Sequence, residues 1–111
     1  MTEKIAILLP AYNEEVTIQK VIKDFRAVLP HANIYVYDNN SKDKTNDLAR
    51  EAGAIVRFEP RQGKGNVVRS MFREIDADYY IMVDADDTYP ATEVEKLLEP
   101  LRSGRADMTI G

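Results

Sequence analysis

The chain has 111 residues, the length of one domain rather than two, and its 44% apolar and 31% charged residues are an ordinary globular balance that excludes a disordered tail or a collagen-like repeat. No apolar run reaches the roughly eighteen residues that a membrane span needs, and zero cysteines exclude disulfides, thiolate metal sites and cysteine nucleophiles. Fifteen Lys and Arg against nineteen Asp and Glu leave a net charge of −4, which argues against a nucleic-acid binder held by phosphate contacts.

Lys4–Leu9 is an apolar run stopped by Pro10, the pattern of a strand covered on both faces. From Glu14 to Leu29 the apolar residues Ile18, Val21, Ile22, Phe25, Val28 and Leu29 form a helical stripe. Asn13 reads as its N-cap, Glu14 and Glu15 suit its positive end, and Pro30 closes it. Asn33–Tyr37 is a β-branched and aromatic strand, and Asp43–Ala52 a short helix with Gly53 as its stop. Ala54–Phe58 is a strand, and Gly65–Ile75 a helix that turns Val67, Val68, Met71, Phe72 and Ile75 inward. Tyr79–Val83 is a buried strand. Ala91 to about Arg102 is a helix presenting Val94, Leu97, Leu98 and Leu101, with Pro100 expected to kink or shorten it. Met108–Ile110 begins a fifth strand.

Strands and helices alternating at this spacing predict an α/β fold, a mostly parallel sheet with helices on both faces, formed by residues 1–111 as a single domain. With nothing to cover the last strand, the sequence reads as part of a longer domain, and the open sheet edge invites pairing with a second copy. No charged-then-apolar leader is visible, so a cytoplasmic setting is expected, with any membrane attachment supplied from beyond Gly111.

In an open parallel sheet, ligands bind beyond the carboxyl ends of the strands. Pro10–Glu15, Asp38–Ser41, Arg61–Gly65 and Asp84–Thr88 all fall on that edge, whereas the opposite edge carries bland loops, including the lone histidine, His31. Three carboxylates within Asp84-Ala85-Asp86-Asp87 repel one another and call for a proton or a cation. Two aspartates two apart after a rigid strand suit Mg²⁺ or Mn²⁺ completed by water and phosphate oxygens. The plainer alternative has Asp86, Asp87 and Thr88 capping the helix that starts near Pro90. Asp38 is placed to accept from a ring N–H or a ribose hydroxyl, or else to close an Asx-turn. Tyr12 is either a stacking platform for a planar base or a half-buried loop aromatic. Gly63-Lys64-Gly65 opens a helix whose N-terminus, with Lys64 and Arg61, favours an anion, although a solvated lysine in a loop is commoner. It is not a Walker loop, because Gly65 stands where Ser or Thr is needed, and no G-x-G-x-x-G follows the first strand.

Taken together, Pro10-Ala11-Tyr12-Asn13-Glu14, Asp38-Asn39-Asn40-Ser41-Lys42-Asp43-Lys44-Thr45, Gly63-Lys64-Gly65 and Asp84-Ala85-Asp86 resemble, in order and over nearly the whole chain, the family 2 glycosyltransferases, and among them the polyprenyl- and dolichol-phosphate sugar transferases. The resemblance implies a Rossmann-like GT-A fold, a UDP- or GDP-linked sugar donor and a divalent metal, Mg or Mn. It implies that Pro10, Tyr12 and Glu14 line the base and ribose pocket and that Asp38 hydrogen-bonds the base. Arg61 and Lys64 would border the nucleotide, Asp84 would reach the ribose or the metal, and Asp86 would hold the metal. It further implies an inverting transfer to a lipid-phosphate, polysaccharide or other acceptor, with the acceptor site and general base expected beyond Gly111. Thr88 departs from the glutamine that lipid-phosphate transferases can carry there. Two rivals stand beside this reading. Tyr80–Thr88 spells the first motif of the haloacid-dehalogenase phosphatases, with Asp84 as nucleophile and Asp86 as acid/base, though it closes the fourth strand rather than the first. The other rival is a non-catalytic nucleotide-binding module.

Overall fold

A computed structural model describes residues 4–87, 90–94, 96–97 and, as backbone, 108–110. The described residues form strands β1 (Ile5–Ala11), β2 (Asn33–Asp38), β3 (Ile55–Phe58), β4 (Tyr79–Met82) and β5 (Met108–Ile110). Helices α1 (Ile18–Val28), α2 (Thr45–Glu51) and α3 (Lys64–Glu74) lie between them, and a 3₁₀ turn runs over Ala91–Glu93. The strands pair in parallel in the order β3-β2-β1-β4-β5.

The apolar strands divide their side chains between two cores with the period of two that a sheet imposes. Ile7, Leu9 and Ala11 of β1, Ile34 and Val36 of β2, and Ile81 of β4 face one core. Against them pack Ile18, Val21, Ile22 and Phe25 of α1, together with Ala49 of α2. Ala6, Leu8, Tyr37 and Met82 face the other core, under Val67 and Met71 of α3. A fully buried side chain of this size contributes about 1.5–3 kcal/mol, so the six-residue stripe read from the sequence is what fixes α1 to the sheet.

The chain winds outward through β1, β2 and β3 with α1 and α2 on one face, and α3 then returns over the other face to β4. Right-handed crossovers require that change of face when the direction reverses. The reversal between β1 and β4 makes their carboxyl ends the switch point of the sheet, where a crevice opens.

Three local expectations are corrected. Asn13 is not a helix cap. Its φ is +53°, and the helix begins only at Ile18, after a turn in which the Thr17 and Ile18 N–H groups donate to the Glu14 carbonyl. The asparagine tolerates the left-handed region, and that bend delays the helix. Secondly, Phe72 is not turned inward but is 51% exposed beside Tyr80, and at the start of α3 it is Gly63, with φ +121°, that needs to be glycine, while Gly65 is an ordinary helical residue. Thirdly, the element after Pro90 starts as a 3₁₀ turn rather than a full α-helix. The expectations resting on Thr88, Leu98, Pro100 and Leu101 lie outside the described residues.

Candidate functional site

A cavity of about 410 Å³ lies at the switch point. Pro10, Ala11 and Tyr12 at the end of β1 form one wall, Asp84 and Asp86 after β4 the other, and Asn39, Gln62, Gly63 and Lys64 close it from the β2 and β3 ends. Glu14 reaches the rim, and Val67 of α3 forms part of the floor. The sheet sets the spacing: Leu8 pairs with Met82, and the Val83 N–H continues the ladder by donating to the Leu8 carbonyl at 3.0 Å.

The β1 wall is held from behind by the segment after β2. The Asn13 N–H donates to Ser41 Oγ (2.9 Å), the Glu14 N–H to Thr45 Oγ1 (2.8 Å) and the Glu15 N–H to Asp43 Oδ2 (3.2 Å). In return the Lys42 N–H donates to Asn13 Oδ1 (2.7 Å) and the Lys44 N–H to Glu15 Oε2 (3.2 Å). Donors that a helix start would leave bare are thus satisfied from another loop. The result presents Tyr12, 45% exposed, on the cavity wall, where its ring can take a planar ligand.

Asp38 and Arg61 do not line the cavity, and of the two alternatives read for Asp38 the turn-closing one is present. Asp38 is 3% exposed and does not line the cavity. Its Oδ1 accepts from the Ser41 N–H (2.8 Å) and its Oδ2 from Asn46 Nδ2 (3.2 Å), which makes it the closure of an Asx-turn. Arg61 turns its side chain back onto Glu59, with Nε 3.3 Å from Oε2. Their place at the cavity is taken by Asn39 and Gln62, to which the sequence reading assigned no role. Asn39 is an anchor. Its Nδ2 donates to the carbonyls of Glu59 (3.0 Å) and Arg61 (2.8 Å), and its Oδ1 accepts from the Gly63 N–H (2.9 Å). No sequence signal separates such an anchor from the turn-forming asparagine next to it.

Glu59 was also missed. Only 4% exposed, its carboxylate accepts from Ser70 Oγ and from the Arg61 N–H at 3.0 Å. The Ser70 hydroxyl first, and then the Arg61 N–H, lower its pKa from the ordinary 4.5 to about 2. Stability from this carboxylate is complete above the unfolded-state value of 4.5 and fades as pH falls towards 2. Glu59→Gln is therefore expected to flatten the acid limb of the stability curve, measured as urea midpoints from pH 5 down to about pH 2.5. An acid limb of unchanged slope would count against the network.

On the β4 wall, the turn that carries the aspartates is tied down at several points. Thr17 Oγ1 donates to the Ala85 carbonyl at 2.7 Å, and Lys20 reaches Asp87, whose φ is +65°, at 3.1 Å. Lys64 Nζ lies 2.8 Å from Asp84 Oδ1. Burial first, and then the charge of Asp86, raise the Glu14 carboxyl above its ordinary range. Glu14, Asp84 and Asp86 thus crowd negative charge at one rim of the cavity. Among the described residues no three acidic or histidine side chains converge closely enough to cage an ion by themselves. Two carboxylates at the mouth of a cavity fit a hard cation that keeps water and ligand oxygens in its shell.

The family model for glycosyl transferase family 2 matches residues 6–111. The chain belongs to that family. It is 50% identical over 107 residues to protein RfbJ of Shigella flexneri, covering 96% of this chain and 83% of that one. It is 44% identical over 103 residues to glycosyltransferase AglJ of Haloferax volcanii, covering 92% of this chain and 34% of the relative. Among solved structures, glucosyl-3-phosphoglycerate synthase from Mycobacterium tuberculosis in complex with Mn²⁺ and UDP-glucose superposes with a TM-score of 0.80 at 28% identity, over 92% of this chain and 40% of that one. The chain therefore spans most of one relative but only about a third of AglJ and two fifths of the solved synthase. The GT-A fold expected from the motifs is present. Family membership over 6–111 sets aside the phosphatase reading, which rested on the spelling of Tyr80–Thr88 alone.

Proposed function

We propose that this chain binds the donor of a sugar-transfer reaction, a nucleoside-diphosphate hexose held with a divalent cation. The observation that carries the reading is the meeting of Tyr12, Lys64, Asp84 and Asp86 around one cavity at the switch point of the sheet. Pro10 and Tyr12 offer a wall for the base, and Glu14 is near enough to the rim to take a ribose hydroxyl. Lys64 and the first turn of α3 offer positive charge to a diphosphate. Asp84 and Asp86 would hold the cation, and the cation would offset the charge that builds on the departing nucleoside diphosphate as the glycosidic bond breaks. Asp38, Asn39 and Glu59 act from behind the wall by fixing the loops. The solved synthase carries UDP-glucose and Mn²⁺, which supports a uridine nucleotide and Mn²⁺ as the first ligands to try. The motif resemblance supports a lipid-phosphate acceptor.

Calorimetry with UDP and with GDP, each with and without Mn²⁺, tests the donor. Cation-dependent binding that prefers UDP supports the proposal, and failure of both nucleotides to bind overturns it. Transfer of hexose from the UDP-sugar to a polyprenyl phosphate in detergent, by a chain extended past Gly111 where the general base is expected, then separates a transferase from a nucleotide-binding module.

A further inference from the structure

We infer that Lys64 couples the cation to the nucleotide: its ammonium holds Asp84 while the site is empty and passes to the diphosphate when a cation takes that carboxylate. The inference rests on the donor reading above and adds to it a direction and a sign for the coupling. Lys64 is the one cation among the described residues lining the cavity, which the carboxylates of Glu14, Asp84 and Asp86 line with it. Its Nζ lies 2.8 Å from Asp84 Oδ1. The neighbouring cations are committed elsewhere, Arg61 to Glu59 and Lys20 to Asp24 and Asp87, so neither can replace it without breaking its own pair.

The magnitudes favour an exchange rather than a lock. Both side chains of the pair are about half exposed, at 51% and 49%, and such pairs are individually weak. A cation arriving alone must turn Lys64 out into water with no new partner. Arriving with a nucleoside diphosphate, it releases the ammonium next to phosphate oxygens, where charge-assisted hydrogen bonds are stronger. Each ligand thus improves the site for the other, and by linkage the two effects are equal. Lysine suits this role because its ammonium swings on a flexible four-carbon stem. The anchoring of Gly63 by Asn39 keeps the base of that stem in place.

The test uses Mn²⁺ and UDP as probes, each alone and both together, with Mn²⁺ followed by electron paramagnetic resonance and UDP by calorimetry. Lys64→Met is expected to bind Mn²⁺ alone roughly two- to fivefold more tightly than the parent, because the competitor for Asp84 is gone. It is also expected to bind UDP more weakly, and the factor by which Mn²⁺ improves UDP affinity should fall at least about twofold. Lys64→Arg, which keeps the charge, should retain most of that factor. A Lys64→Met protein with unchanged or weaker affinity for Mn²⁺ alone, or with an unchanged coupling factor, overturns the inference while leaving the donor reading intact. A parent protein in which Mn²⁺ has no effect on UDP binding overturns the inference and the cation part of the donor reading, and one that binds neither UDP nor GDP overturns both.

Discussion

Asp86→Ala should remove the cation-dependent part of UDP binding, a loss of about a hundredfold or more measured by calorimetry at saturating Mn²⁺. Disturbing a group that merely orients a metal ligand already costs about 10–100-fold, and a ligand itself should cost at least as much. Asp86 is exposed, and its charge is one cause of the raised pKa of Glu14, so its removal relieves a repulsion. Melting should therefore shift by no more than the equivalent of about 0.5 kcal/mol. Unchanged UDP affinity in a folded Asp86→Ala protein would remove the cation from the β4 wall.

Asn39→Ala is expected to have the largest effect on stability. One amide side chain satisfies the carbonyls of Glu59 and Arg61 and the N–H of Gly63, and alanine leaves all three without that partner. An orphaned buried polar group costs about 1–3 kcal/mol. Because water can reach part of this loop, the total should be about 2–4 kcal/mol, read as a lowered urea midpoint at unchanged m-value. The same substitution should weaken UDP binding, since Gly63 and Lys64 lose their tether. A midpoint close to that of the parent would show that the loop is held by Glu59 and Ser70 alone.

These two substitutions also mark how far the sequence could be read. The strands and helices were legible because buried positions repeat at two and at about 3.6 residues, and the sorting of Pro10–Glu15, Asp38–Ser41, Arg61–Gly65 and Asp84–Thr88 to one edge followed from the parallel order. The wall residues Pro10, Tyr12, Glu14, Lys64, Asp84 and Asp86 followed with it. Which way a polar side chain turns at that edge was not legible. Asp38 faces a choice between the cavity and its own loop, and the Ser41 N–H and Asn46 amide, three and eight residues on, settle it for the loop. The competition that removes Arg61 from the cavity comes from Glu59, two residues earlier, whose burial depends on Ser70 across the β3–α3 turn. Likewise α1 starts at Ile18 because Asn13 bends the chain and residues some thirty positions away cap Glu14 and Glu15. Local pattern carries period and edge, whereas partner choice belongs to tertiary structure.

The reciprocal bonds between residues 13–15 and 41–45 bear on how specificity can be exchanged between relatives. Each segment supplies donors or acceptors that the other consumes, so neither has a satisfied backbone by itself. A chimera that borrows the Tyr12 loop from a paralogue without its companion after β2 inherits mismatched ends. Transplanted as a matched pair, the two loops carry their own scaffolding with them, and the natural unit of recombination at this wall is two segments that sit apart in the gene.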